Sequence, residues 1–229
     1  MDYIVQGFVE AFKLLVSFDR EIYGIILLTL YVTIMSTFIA TLIGVPLGIL
    51  IGIKNFSFKK TLIRFLYTFM SMPPVIAGLF VYLVLARRGP LGQLELLFTP
   101  TAMIIAQIFL VAPIITGITY NSTREKGQHI MQVAHTLGAG KAQTLGLLLF
   151  ELKADILAAI VSGFGRAISE VGAVMLVGGN IKGHTRVMTT SIAMLQSMGE
   201  TSQAIAIGLV LLTLSFIINS ILYHVQKVA

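Results

Sequence analysis

Four stretches of this chain, residues 24–53, 65–86, 100–120 and 201–223, contain no aspartate, glutamate, lysine or arginine. Each is long enough to cross a hydrocarbon core, which takes roughly 20 mostly apolar residues in a helix. A fifth stretch, 156–177, is apolar except for Arg166 and Glu170. Inside a bilayer the backbone has no water to bond, so an uncharged run of this length must satisfy its own N–H and C=O groups, and a helix does so. The expected fold is therefore an all-α integral membrane protein with five transmembrane helices. The charged fraction of 11% agrees, because soluble domains carry about 25%.

Two further segments are apolar without spanning. The run between Arg186 and Glu200 is too short and reads as interfacial or re-entrant. Residues 1–23 mix Phe8, Phe12, Leu15 and Val16 with Glu10, Lys13, Asp19 and Arg20, a pattern suited to an N-terminal helix lying on the membrane surface. The segment lacks the basic start and short apolar centre of a secretory signal, so the expected boundaries are an interfacial segment at 1–23 and a transmembrane domain at 24–229.

The net charge of +6 is read loop by loop, as orientation rather than as nucleic-acid binding. With five spans, Lys54, Lys59, Lys60, Arg64, Arg124, Lys126, Lys141, Lys153 and Lys227 share one side, against Lys13, Arg20, Arg87, Arg88, Lys182 and Arg186 on the other. The richer side is expected in the cytoplasm, with the C-terminus, and the N-terminus outside.

One segment on the expected cytoplasmic side breaks the apolar pattern. Residues 132–146 read QVAHTLGAGKAQTLG. From Glu125 to Leu137, Ile130, Val133 or Ala134, and Leu137 recur at helical spacing on an otherwise polar helix. Gly138 supplies a residue able to turn left-handed and stop that helix, and Gly140 a second bend. A short helix follows, with Ala142, Leu145 and Leu148 or Leu149 as its apolar side. A hairpin over 125–152 thus carries a greasy face, which could be covered by the protein's own span ends or by the groove of a partner.

QVAHTLGA resembles the EAA loop of the permease subunits of binding-protein-dependent ABC importers, with Gln132, Val133 and Ala134 at the E-A-A positions and Gly138 at the glycine. The chain departs from that pattern at Gln132, where the family has glutamate, and at Glu151, where it has proline. MPPVIAGLFVYLVLARRGPLG at 72–92 and FGRAISEVGAVMLVGGNIKGHTR at 164–186 resemble the molybdate, tungstate and sulfate branch, and the two departures look most like tungstate permeases. The resemblance implies the type I ABC importer transmembrane fold and a homodimer in a prokaryotic inner membrane. It implies two cytoplasmic ATPase subunits docked on Ile130, Gln132, Val133, Ala134, Leu137, Gly138 and Ala139, and an oxyanion-binding protein outside, over the polar, glycine-rich loop 177–186.

The stretch 156–177 holds the two intramembrane charges. Ser162, Arg166, Glu170 and Ala173 lie three or four residues apart and so are expected on one helical face. A charge at bilayer depth costs about 2.5–3.5 kcal/mol on insertion scales and faces a cavity or a partner. Two readings stay open here: an Arg166–Glu170 pair that neutralises itself and fixes packing, or a face that lines the translocation path. Gly44, Gly48 and Gly52, and Ala159, Gly163 and Ala167, form small-residue stripes that permit close helix contact in lipid, within a subunit or at a dimer seam. Pro73, Pro74 and Pro113 remove backbone donors and are expected to bend their helices.

No enzyme chemistry is expected. GAGK at 138–141 lacks the earlier glycine and the following serine or threonine of a phosphate-binding loop, with His135 and Ala142 at those positions. His129, His135, His184 and His224 fall outside span centres without metal-ligand spacing, there is no cysteine, and Ser162 and Ser169 have no intramembrane histidine to activate them. No catalytic residue, metal or cofactor is expected; ATP would be hydrolysed by the partner. The expected function is alternating-access import of a tetrahedral oxyanion, tungstate or molybdate. The alternative is an oligomeric ion channel, which needs neither an ATPase nor a docking hairpin; a scaffold would pass no flux at all.

Overall fold

The computed structural model describes residues 6–11, 13 and 19–228, and among them there is no β-strand. The helices are α1 (Arg20–Ile53), α2 (Lys59–Met70), α3 (Pro74–Leu85), α4 (Pro100–Thr136), α5 (Lys141–Glu151), α6 (Lys153–Ile168), α7 (Gly172–Gly178), α8 (Met188–Ser197) and α9 (Thr201–Val228). Three of them, α1, α4 and α9, are long and apolar enough to cross a membrane. If each of the bent pairs α2–α3 and α6–α7 is one broken span, the candidate spans number up to five.

Helices α1 and α4 form the spine. Asp19 starts α1 by accepting from Glu21 N at 2.7 Å and Ile22 N at 3.3 Å, a side-chain cap for two otherwise unpartnered donors. The glycine stripe of α1 is the contact. A Cβ at Gly48 would stand 2.7 Å from Thr116 O and from Thr119 Cβ, and one at Gly52 would stand 2.5 Å from Thr123 Cγ2. Gly163 of α6 meets Ile115 and Val111 from the other side. Both small-residue stripes therefore serve packing within the subunit, where dispersion contacts between backbones replace the missing hydrophobic drive in lipid.

Two expected spans are not single rods. Residues 65–86 divide between α2 and α3, which meet at 102°. Proline disfavours helical geometry in the residue before it, and Met72 and Pro73 both precede one, so α2 stops at Ser71 and α3 restarts with Pro74 in its first turn. Residues 156–177 divide between α6 and α7 at 57°. No proline lies at that break. Ser169 Oγ instead donates to Gly165 O and Arg166 O, competing with the backbone ladder. The single face expected for Ser162, Arg166, Glu170 and Ala173 is consequently interrupted after Ile168.

The third expected span continues where the sequence suggested a separate arm. Nothing between Asn121 and Thr136 breaks a helix, and Gly127 is buried, so α4 runs on for 37 residues. Pro113 lies within it.

At the other end, residues 6–11 are helical, with Ala11 buried beside Ile25, Ile26, Ala206 and Ile207. Gly7 lies against Ile205 so closely that a Cβ would come within 2.5 Å of Ile205 Cγ2, so this stretch packs on α9. Phe12, Leu15 and Val16, expected in the surface helix, lie outside the described residues.

Candidate functional site

The far end of α4 and the whole of α5 build a hairpin outside the uncharged spans. Gly138 adopts φ +73°, a left-handed conformation that costs other L-residues roughly 1–2 kcal/mol. With it in place, Ala139 N donates to Ala134 O at 2.9 Å and Gly138 N to His135 O at 3.0 Å. These are the two bonds of a Schellman motif, which satisfies carbonyls that a helix end leaves open. On the other side Gln143 Oε1 accepts from Gly140 N at 2.8 Å and Thr144 Oγ1 donates to Gly140 O at 3.0 Å. The turn is fixed on both sides.

The hairpin is also tied down at its base. Ala134 and Leu148 are buried, Ile130 is half-buried, and Leu148 joins a core with Ile115, Leu152 and Ala159. Lys126 Nζ lies 2.7 Å from Asp155 Oδ2, joining α4 to α6, and the bond and charge of that carboxylate raise the Lys126 pKa above its usual value. Lys153 sits over the Phe150 ring at 4.2 Å.

Among the residues expected to dock a partner, Leu137 is 78% exposed, Val133 is also exposed and Ala134 is fully buried. Gln132 and Gly138 are exposed, Ala139 half-buried. The expected single stripe thus splits: Ile130 and Ala134 hold the hairpin to the bundle, while Val133 and Leu137 face outward with Leu145, Leu149 and Phe150 of α5. Phe150 escaped the sequence reading because it falls off the apolar spacing of α5.

The second cluster lies at the α6–α7 break. Arg166 Nη1 lies 2.8 Å from Glu170 Oε2. Glu170 Oε1 accepts from Ala173 N at 2.9 Å and so caps α7, and Thr189 Oγ1 donates to Glu170 O at 2.8 Å. Glu170 is buried, the Arg166 side chain is 30% exposed and Ser162 is exposed. Ala173 is fully buried, and a Cβ at Gly78 would come within 2.6 Å of its Cα. Of the four residues expected along a path, Ser162 and Arg166 present surface, while Glu170 and Ala173 pack behind them.

A third feature was not foreseen. Buried Gln107 accepts from Ser36 Oγ at 2.6 Å and donates through Nε2 to Ala167 O at 3.1 Å, linking α1, α4 and α6. Ala167 O also accepts from Glu170 N at 3.2 Å, so Gln107 adds a second donor to the carbonyl beside the α6–α7 break. The signal was present: Gln107 is the one amide in residues 100–120.

Residues 44–228 match the family described as the inner membrane component of binding-protein-dependent transport systems. The chain belongs to this family. As a permease it is 55% identical to the tungstate uptake system permease protein of Peptoclostridium acidaminophilum, over 99% of this chain and 100% of that one. It is 34% identical to the tungstate uptake permease of Campylobacter jejuni, over 99% and 95% of the two chains. To the molybdenum transport system permease protein of Azotobacter vinelandii it is 29% identical, over 69% and 74%. The hairpin and the α6–α7 break are thus features of an inner-membrane component of a transport system.

Proposed function

We propose that this permease imports tungstate, with molybdate as the second tetrahedral oxyanion, driven by ATP hydrolysis in separate cytoplasmic subunits. The observation that carries the reading is the hairpin tip. Leu137 stands 78% exposed on a turn fixed by Gly138 and its Schellman bonds, an apolar anchor without a cover among the described residues. The substrate follows from 55% identity along the whole chain to a tungstate uptake permease.

In this reading two copies enclose a central path, each crossing the membrane five times. The hairpin and C-terminus face the cytoplasm, the N-terminus lies outside, and an oxyanion-binding protein docks over residues 177–186. Val133, Leu137, Leu145 and Phe150 insert into a cleft of each ATPase. When ATP draws the two ATPases together the hairpins follow, and Lys126–Asp155 and the Leu148 core transmit that movement into α6. The paired spans then open outward, and loss of ATP reverses the change. Ser162 and Arg166 line the path, and the Glu170 carboxylate offsets the charge of the Arg166 guanidinium so that an oxyanion passes without being trapped.

The test is uptake of radiolabelled tungstate into proteoliposomes holding the permease, its ATPase and its binding protein. Uptake that needs ATP and all three components supports the reading. Flux by the permease alone down a gradient points to a channel.

A further inference from the structure

The turn that joins α1 to α2 and the outer part of α4 enclose an open cleft of about 720 Å3, on the same side of the bundle as the hairpin. It is lined by Lys59, Lys60, Arg64 and Arg124 and by no carboxylate. Lys59 is already used: its Nζ donates to Lys54 O at 2.9 Å and to Gly52 O at 3.2 Å, closing the open end of α1. Lys60, Arg64 and Arg124 make no ion pair among the described residues. Three like charges held around one concavity repel one another unless an anion sits among them.

Position and rim narrow the anion. Gly52 and Asn55 line the cleft where the uncharged length of α1 ends, a place that suits a headgroup rather than the hydrocarbon. Phe56 and Tyr67, both exposed, line it together with Ile63. A free oxyanion gains nothing from such a rim, whereas acyl chains do, and aromatic rings favour the membrane interface. Basic pockets between membrane helices take anionic headgroups on this principle.

We propose that this cleft binds the phosphate of an anionic phospholipid, with Lys60, Arg64 and Arg124 on the headgroup and Phe56, Ile63 and Tyr67 along the chains. A lipid seated there bridges α2, which has no buried residue of its own, to α4.

The test is native mass spectrometry of the full-length permease in detergent, titrated with phosphatidylglycerol and with phosphatidylcholine of the same acyl chains. Wild type retains phosphatidylglycerol preferentially. A Lys60→Gln, Arg64→Gln, Arg124→Gln variant lowers that retention by about tenfold or more, and an Arg87→Gln, Arg88→Gln variant, with its charges outside the cleft, leaves it unchanged. Circular dichroism shows whether the triple variant keeps its helices; if it does not, the wild-type preference and its competition arm decide. Equal retention of the two lipids overturns the proposal, as does retention by a folded triple variant or equal loss in the Arg87, Arg88 variant. Displacement of the lipid by millimolar inorganic phosphate also overturns it, because the cleft would then be a site for a free oxyanion.

Discussion

Arg166 Nη1 and Glu170 Oε2 lie 2.8 Å apart across the break between α6 and α7, and the second carboxylate oxygen caps α7 through Ala173 N. The two roles of Glu170 separate by substitution. Arg166→Ala strands a buried carboxylate and is expected to cost about 3 kcal/mol. Glu170→Gln keeps an acceptor for Ala173 N and costs about 1–2 kcal/mol. A double-mutant cycle read by thermal unfolding in detergent gives a coupling well above zero; additive effects would show that the pair does not hold the break.

Gly48 and Gly24 sit in the same helix in opposite surroundings. A Cβ at Gly48 meets Thr116 O and Thr119 Cβ at 2.7 Å, and one at Gly24 meets nothing within 4 Å. Gly48→Ala is expected to lower stability by about 1–3 kcal/mol by forcing α1 off α4. Gly24→Ala raises it by about 0.5–1 kcal/mol through helix propensity and unfolded-chain entropy. Melting temperatures of the two variants should move in opposite directions.

Gly138 tests the turn apart from the docking face. At φ +73° Gly138→Ala is expected to cost about 1 kcal/mol locally and to weaken capture of the ATPase. Gly138→Asn keeps more of it, because asparagine visits the left-handed region more readily. Equal capture by the alanine and asparagine variants would show that the turn conformation does not set the docking geometry.

The Lys126–Asp155 tether carries a pH signature. The folded-state pKa of Lys126 is raised above 10.5. Its stabilisation is therefore complete below the ordinary lysine value and is lost as pH rises through the folded value. With side chains 50% and 27% exposed, the effect is small and salt-sensitive, under about 1 kcal/mol. Asp155→Asn should change the melting temperature little across neutral pH, and the gap between the two proteins should narrow only in strong alkali.

What was legible in the sequence follows from which forces are local. Uncharged runs of spanning length mark α1, α4 and α9 directly, and Gly138 marks the hairpin turn because glycine enters a left-handed stop at the least cost. Pro73 and Pro74 pointed to a bend, yet its 102° angle depends on how α3 packs Gly78 against Ala173. The break at Ser169 was hidden, since no proline marks it and it rests on side-chain bonds, Ser169 Oγ back to Gly165 O and Arg166 O and Glu170 forward to Ala173 N. Gln107 was visible as the one amide of its span, but its partners were not: Ser36 and Ala167 lie 71 and 60 residues away. The split of the hairpin stripe into Ala134 inward and Leu137 outward likewise needs Leu148, which periodicity alone could not choose over Leu149.

The most direct measurement is ATP-dependent tungstate uptake by the reconstituted complex with wild type and with Leu137→Asp. Leu137 makes no part of the subunit's core, so the variant should insert and melt like wild type. The account predicts that uptake and ATPase capture both fall at least about tenfold, as for a buried apolar anchor at an interface. Wild-type uptake by a correctly inserted Leu137→Asp permease would contradict it.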